Sequence, residues 1–293
     1  MRLVKRLLFL AGSVVLFLSS LLAQPTFPAR GFAPILNEFQ SNKRVESFRK
    51  SFFPPLKNQV FHQGYLFRFQ FAHYPNTGRS VIYHGLLSGP YPDAPILRVD
   101  LQANPQDSHN QASFLLFRDH NLSQAWKWEK ENSVIESLSP ADWLLPWMAQ
   151  INHTPFDILM PFVHWSFKYD KSGRVCGRPA HIFEFLPPQE NHFFGHSLKS
   201  VRLAIDDVYD APLRIEHMDG GILPKCTFSL QSFKKIDARW MVKTIDAKDR
   251  DSKSRTRYEL MAVAHGLDLD PSVFKPSGLS KPIIHTSISL RNL

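Results

Sequence analysis

Five segments between residues 200 and 262 alternate apolar and polar side chains. An alternation with period two places the apolar side chains on one face of a β-strand and the polar ones on the other. Short turns rich in Asp, Gly and Pro separate the segments, and strands joined so closely pair antiparallel. No stretch has the strand–helix–strand spacing of a parallel sheet. The segments that predict this antiparallel meander are 201–205, 213–217, 226–230, 240–245 and 258–262.

The N-terminal half repeats the alternation with aromatic residues. Tyr65, Phe67, Phe69 and Phe71 occupy every second position, so they share one strand face. Upstream of them, the spacing of apolar residues predicts an amphipathic helix over 35–53, which the prolines after Phe53 would end. Its apolar positions are Ile35, Leu36, Phe39, Val45, Phe48 and Phe52, and further strands are predicted at 81–87, 97–101, 113–118 and 126–128.

Residues 139–162 contain two copies of a pattern that starts a helix. In each copy a Ser or Thr is followed by Pro and then by an Asp three residues after the first position: Ser139 with Asp142, and Thr154 with Asp157. The two side chains can pair with free backbone N–H groups at a helix start, where proline loses no hydrogen bond. We expect two short, very apolar helices that cover part of the sheet.

The first 23 residues have the pattern of a secretory signal peptide. Positive charges in 1–6 precede an apolar run over 7–22, and Ala23 is a small residue at the expected cleavage point. The run of about 16 residues is shorter than the ~20 of a membrane-spanning helix; an uncleaved anchor is the alternative. The sequence therefore predicts export to the periplasm and a mature chain starting near Gln24, with a short linker over 24–32.

The charge pattern does not favour a nucleic-acid partner. The net charge of +9 includes three positive charges in the signal segment. Basic residues in 250–257 alternate with Asp and Ser, whereas nucleic-acid binding needs a continuous basic stripe.

The two cysteines, Cys176 and Cys226, leave two alternatives open. Export would place them in an oxidising compartment, where they could form a single disulfide. Two buried free thiols are the other interpretation.

No catalytic or metal-binding arrangement is predicted. Residues 195–199 resemble a nucleophile elbow, but Lys199 stands where that motif requires Gly. His192 and His196 have a spacing that shares a metal only on a helix, and Pro187 upstream favours a loop. The sequence therefore predicts no enzyme activity, no cofactor and no metal.

An ordered series of short motifs runs through the C-terminal half of the chain. The motifs are TPFDILMPF at 154–162, VCGRPAH at 175–181, LPP at 186–188, VRLAID at 201–206, PLRIE at 212–216, DG at 219–220, KKIDARW at 234–240, RTRYEL at 255–260 and FKP at 274–276. Their order over residues 130–278 resembles the outer-membrane lipoprotein-sorting protein family, in the LolA-like superfamily of periplasmic lipoprotein carriers.

The resemblance implies an α+β fold, an unclosed antiparallel β-barrel whose curved sheet has helices covering or plugging its concave face. One such LolA-like domain is expected over 33–278, followed by a C-terminal tail over 279–293. It also implies a carrier of lipid or lipoprotein acyl chains in outer-membrane lipoprotein sorting, with inner- or outer-membrane proteins as partners. A non-enzymatic envelope-sensing or protein-binding module on the same scaffold is the alternative.

An apolar pocket is predicted on the concave face. Apolar walls alone could hold an acyl chain, because each buried methylene gains about 0.8 kcal/mol. A completely filled core is the alternative. The nine residues expected to line the pocket are Tyr65, Phe67, Phe69, Phe71, Val201, Leu203, Ile205, Tyr258 and Leu260.

Overall fold

A large antiparallel sheet dominates the structure. The computed structural model describes residues 33–52, 64–90, 95–104, 107–118, 123–188, 198–236, 239–283 and 289–293. Within these ranges the sheet has 14 strands. The strands are β1 (Gly64–Tyr74), β2 (Val81–Gly89), β3 (Ile96–Asn104), β4 (Asp107–Phe117), β5 (Gln124–Glu129), β6 (Ile135–Leu138), β7 (Ser166–Val175), β8 (Arg178–Leu186), β9 (Ser200–Asp206), β10 (Pro212–Met218), β11 (Cys226–Ile236), β12 (Arg239–Asp249), β13 (Arg255–Leu267) and β14 (Arg291–Asn292).

Two meanders form this sheet, and one strand pair joins them. The strand order is β6-β5-β4-β3-β2-β1-β13-β12-β11-β10-β9-β8-β7, and β14 pairs with β13. Sheet neighbours are also sequence neighbours except at β1 and β13, where the first and last long strands pair. β6 and β7 form the two edges, so the curved sheet does not close. The predicted fold class, an unclosed antiparallel barrel with helices, is confirmed.

Every strand predicted from alternation is present, from β1 to β5 and from β9 to β13. β6, β7, β8 and the two-residue β14 were not predicted. The edge strand β7 explains the difficulty, because it carries Lys168, Asp170 and Lys171 and most of its side chains are partly or fully exposed. Charged residues on an edge strand prevent pairing with other chains, but they obscure the alternation that identifies a strand.

Helix α1 (Glu38–Phe52) confirms the predicted amphipathic helix, with a later start. Val45 and Phe48 are fully buried in the main core, whereas Ile35 and Phe39 at the other end are exposed. No helix in the described ranges is long and apolar enough to cross a membrane.

Residues 139–165, which we call the cover segment, pack against the aromatic face of the sheet. Helix α2 (Pro155–Leu159) begins at Thr154 with the predicted capping box, in which Asp157 accepts a hydrogen bond from the Thr154 backbone N–H at 2.8 Å. The matching Ser139–Asp142 pair precedes a short 3-10 turn. Met160, with φ of +46°, ends α2. The second copy therefore starts the predicted short helix, whereas the first leads only to a three-residue 3-10 turn over Asp142–Leu144.

The C-terminal residues 279–293, predicted as a tail, belong to the domain where the structure describes them. Leu279 and Ile283 are buried in a core cluster, and β14 pairs with β13. Arg98, only 1% exposed, donates to the carbonyl oxygens of Leu279 and Lys281 at 3.1 and 2.7 Å. A buried guanidinium must satisfy its donors, so these carbonyls fix the segment in place. The folded domain therefore extends beyond residue 278, where the sequence had predicted its end.

Candidate functional site

The nine residues predicted to line a pocket are all buried in the main core. Aromatic side chains at the centre of the sheet contact each other closely: the ring centroids are 5.2 Å apart for Phe69 and Phe71, and 5.1 Å apart for Phe69 and Tyr258. Phe71 also borders a cavity. The interpretation that all nine meet a ligand stays a prediction, and it requires the cover segment to move.

Two glycines make room for aromatic rings at the centre of the sheet. Gly85 pairs with Phe69, and Gly89 pairs with Tyr65. A Cβ at Gly85 would lie 2.2 Å from the Phe69 ring, and one at Gly89 would lie 2.5 Å from the Tyr65 ring. Each ring therefore lies over the bare backbone of the neighbouring strand, which fills the centre of the sheet face.

A cavity of about 40 Å³ lies beside this packed centre, between the cover segment and strands β10 to β12. This space holds a few water molecules at most. Its walls are mainly aliphatic and aromatic, with one polar side. The cover segment contributes Trp147, His153, Asp157 and Ile158, and the sheet contributes Phe71, Pro212, Leu213, Arg214, Ile215, Phe228, Leu230, Val242 and Ile245.

His153 forms the centre of the polar side. Its ring centroid lies 4.6 Å from that of Phe71 and 5.3 Å from that of Phe228, and the residue is 3% exposed. Neither ring nitrogen has a hydrogen-bond partner among the described residues. Burial lowers the pKa of His153 to about 4, although the nearby carboxylates of Asp157 and Asp246 oppose the shift. The ring is therefore neutral at pH 7.

Asp157 links the start of α2 to the sheet. Its Oδ2 accepts the backbone and hydroxyl hydrogen bonds of Thr154 at 2.8 and 2.9 Å. Its Oδ1 faces Nε2 of His217 on β10 at 3.3 Å, where the imidazole is not aligned for a hydrogen bond. The distance is short enough for a small rotation of the ring to align the pair. The carboxylate is thus used for capping and for contact with β10.

The guanidinium of Arg49 on α1 attaches the end of the cover segment. It donates to the carbonyl oxygens of Val163 and Trp165 at 2.6 and 3.1 Å, and lies 5.7 Å from the ring of Phe167. Burial lowers the pKa of Arg49. Hydrogen bonds from a half-buried cation are stronger than neutral ones, so Arg49 holds the cover segment over the sheet.

Both cysteines are free thiols, and Cys226 alone is buried. The Sγ of Cys176 lies 3.5 Å from the carbonyl oxygen of Leu213, whereas Cys226 pairs across the sheet with His217. Leu213 and His217 are four residues apart on β10, or ~13 Å of strand. A disulfide needs Cα atoms within about 7 Å, so the disulfide considered from the sequence does not form.

The β10–β11 hairpin presents a second apolar feature at its tip. Ile222 and Leu223 are 93% and 63% exposed. Arg250 holds the hairpin through Asp219 at 2.5 Å and the Leu223 carbonyl oxygen at 2.9 Å. This salt bridge holds the pKa of Asp219 low, at about 2. The two exposed side chains therefore stand on a fixed tip.

Several features considered in the sequence lie outside the described residues. These are the predicted signal peptide at 1–23, the linker at 24–32, and His192 and His196 with most of the 195–199 motif. In the described ranges, no group of three or more His, Cys, Asp or Glu side chains could hold a metal ion.

Sequence comparison finds no matching family model and no matching curated protein. Structure comparison finds proteins of the same fold at low sequence identity. A DUF1329 family protein from Desulfovibrio piger is 14% identical with a TM-score of 0.62, over 81% of this chain and 95% of that one. An outer membrane lipoprotein-sorting protein domain from Vibrio parahaemolyticus is 12% identical with a TM-score of 0.62, over 82% and 97%. A LolA superfamily protein from Nitrosomonas europaea is 13% identical with a TM-score of 0.56, over 80% and 96%.

Proposed function

We propose, on the premise that the chain has the LolA-like fold, that it is a periplasmic carrier of lipid or lipoprotein acyl chains in outer-membrane lipoprotein sorting. The observation that carries the proposal is the apolar cavity between α2 and strands β10 to β12. Aliphatic and aromatic walls with few polar groups are typical of sites for apolar ligands. Among the described residues, none of those that line the cavity is a Ser, Thr, Cys or Lys, and the Asp157 carboxylate already caps α2. We therefore propose binding rather than catalysis.

Binding of an acyl chain requires the cover segment to move, because a cavity of about 40 Å³ is far smaller than such a chain. The polar contacts that hold the segment include the Arg49 hydrogen bonds, the Asp157–His217 contact, and a hydrogen bond from the Tyr83 hydroxyl to the Ala149 carbonyl oxygen at 2.9 Å. Asn152 adds two more, from its backbone N–H to Thr256 at 2.9 Å and from its side-chain amide to Ser254 at 3.1 Å. These hydrogen bonds would have to break when the segment moves, whereas an acyl chain could replace the apolar contacts of the segment at little cost.

The proposed location rests on the predicted signal peptide. We expect the protein purified from the periplasm to begin near Gln24, as measured by mass spectrometry of the intact chain. Full-length protein found only in the membrane fraction would contradict this location.

The binding test uses one substitution at two sites. Ile215→Phe places a larger side chain, an aromatic ring, in the cavity, whereas Ile222→Phe changes an exposed residue of the same type. We expect Ile215→Phe to weaken the binding of a fluorescent acyl probe about ten-fold, and Ile222→Phe to leave it unchanged. Urea unfolding checks that both variants fold. Equal binding by wild type and Ile215→Phe would place the acyl chain elsewhere, and no binding by wild type would contradict the carrier function.

The hairpin tip favours the second candidate, a non-enzymatic envelope-sensing or protein-binding module. Ile222 and Leu223 are exposed on a tip that Arg250 fixes. Two results together would favour this function over the carrier. The wild-type protein would purify without lipid and bind no acyl probe, and Ile222→Ser would abolish a crosslink to an identified envelope protein in cells.

A further inference from the structure

We infer that the cavity binds a neutral amphiphile whose head group carries a hydroxyl or N–H group, and that His153 recognises this head group. The inference rests on the proposed carrier function and deepens it, because it names the chemistry of the ligand. The acyl chain would lie against the aliphatic side of the cavity, which includes Leu213, Ile215 and Val242.

His153 is costly where it stands unless it has a partner. The residue is 3% exposed and lines the cavity, and both ring nitrogens lack a hydrogen-bond partner among the described residues. Leaving a buried polar group unpaired is unfavourable, because the group loses the hydrogen bonds that it would make with water. The ring packs between Phe71 and Phe228, where a phenylalanine would make the same contacts without this cost. The imidazole is therefore suited to a ligand rather than to packing.

The hydrogen-bonding capacity of a neutral imidazole narrows the ligand class. One ring nitrogen donates and the other accepts, and burial, which lowers the pKa of His153 to about 4, keeps the ring in this form. A head group that carries a hydroxyl or amide N–H beside a further acceptor oxygen can satisfy both nitrogens. A simple ester only accepts, so it would leave the accepting nitrogen unpaired. An acyl chain with a hydroxylated or amide head group fits best.

The charges around the cavity disfavour a free fatty acid. The carboxyl group of Asp157 lines the cavity beside His153, and a second carboxylate placed against it is unfavourable. Arg214 also lines the cavity, but Glu216 pairs with it at 3.0 Å. In the part of the chain that the structure describes, no other Lys or Arg lines this cavity. The site therefore lacks an unpaired positive charge for an anionic head group.

The test compares three ligands with the same chain: 1-monooleoylglycerol, methyl oleate and oleate, each titrated into the mature protein at pH 7. Wild type should bind monooleoylglycerol about ten-fold more tightly than methyl oleate, since one hydrogen bond contributes about that factor, and should bind oleate most weakly. His153→Phe keeps the ring contacts and should bind methyl oleate at least as well as wild type, without the preference for monooleoylglycerol. His153→Gln, which again donates and accepts, should recover part of it.

The outcomes separate this inference from the carrier function. Equal binding of all three ligands by wild type, tightest binding of oleate, or an unchanged preference in His153→Phe would overturn the head-group assignment and leave the carrier intact. Binding of none of them by wild type would overturn both. Urea unfolding shows whether His153→Phe folds. If it does not, the ranking of the three ligands by wild type and by His153→Gln still tests the head-group assignment.

Discussion

The centre of the sheet and the β10–β12 region use the same face in different ways. At the centre, rings such as Phe69 and Tyr258 fill the space and lie over bare glycine backbone. Beside it, the face under α2 leaves a cavity bordered by a histidine without a partner in the described residues. A tightly packed region resists deformation, whereas a region with a void can adapt. The comparison indicates a rigid platform next to a more adaptable region, where we propose that the ligand binds.

The largest expected effect on the free energy of unfolding comes from a leucine-to-alanine substitution, made once in each region. Leu260 lies in the filled centre and Leu213 borders the cavity, and both are buried. We expect Leu260→Ala to lower the free energy of unfolding by about 4 kcal/mol and Leu213→Ala by about 3 kcal/mol or less, because Leu213 gives up fewer contacts beside an existing void. Urea unfolding measures both. Equal losses, or a larger loss at Leu213, would remove the distinction between the regions.

The pH dependence of the free energy of unfolding tests the environment of His153 at the cavity. The pKa of His153 is about 4 in the folded protein and ~6.5 in the unfolded chain. Between these values the unfolded chain binds the proton first, so the free energy of unfolding falls as pH drops from about 6.5 to 4, by up to about 3 kcal/mol. Above pH 6.5 this histidine adds no pH dependence.

The His153→Phe variant should therefore lose less stability than wild type between pH 6.5 and 4. His73, whose pKa burial also lowers, is present in both proteins, so the difference reports His153. Leu260→Ala, at the centre, should keep the wild-type slope. Parallel pH curves for wild type and His153→Phe would mean that His153 is protonated normally in the fold.

A smaller effect is expected from one added methyl group at the centre. Gly85→Ala would force the Phe69 ring to move, since the new Cβ would lie 2.2 Å from it. Overpacking of this kind costs about 1–3 kcal/mol. Gly173→Ala on β7 is the control, because a Cβ there meets nothing within 4 Å. If thermal unfolding shows the two variants equally stable, the centre is less tightly filled than its contacts indicate.

The strands were predictable because alternation is a local signal, and ten of them were found from it. An apolar pocket was predicted, but the position and most of the lining of the cavity were not, since its walls combine Phe71 on β1 and strands β10 to β12 with His153, which lies before α2 and outside any periodic pattern. The pairing of Gly85 with Phe69 likewise depends on strand register, which a hydrophobic pattern alone does not fix. Of the nine predicted lining residues, Phe71 borders the cavity, where its ring contacts His153 of the cover segment.

The pairing of β1 with β13 has a consequence for the proposed route to the periplasm. Gly64 pairs with Leu267, and the sheet has no other long-range strand pair among the residues described. Contacts across about 200 residues form slowly, because a long loop must close before they contribute. The two meanders stay separate until the last long strand has been made. If the chain is exported unfolded, as we propose, this delay is built into its topology, and the β1–β13 pair would form only after the C-terminal strands had crossed the inner membrane.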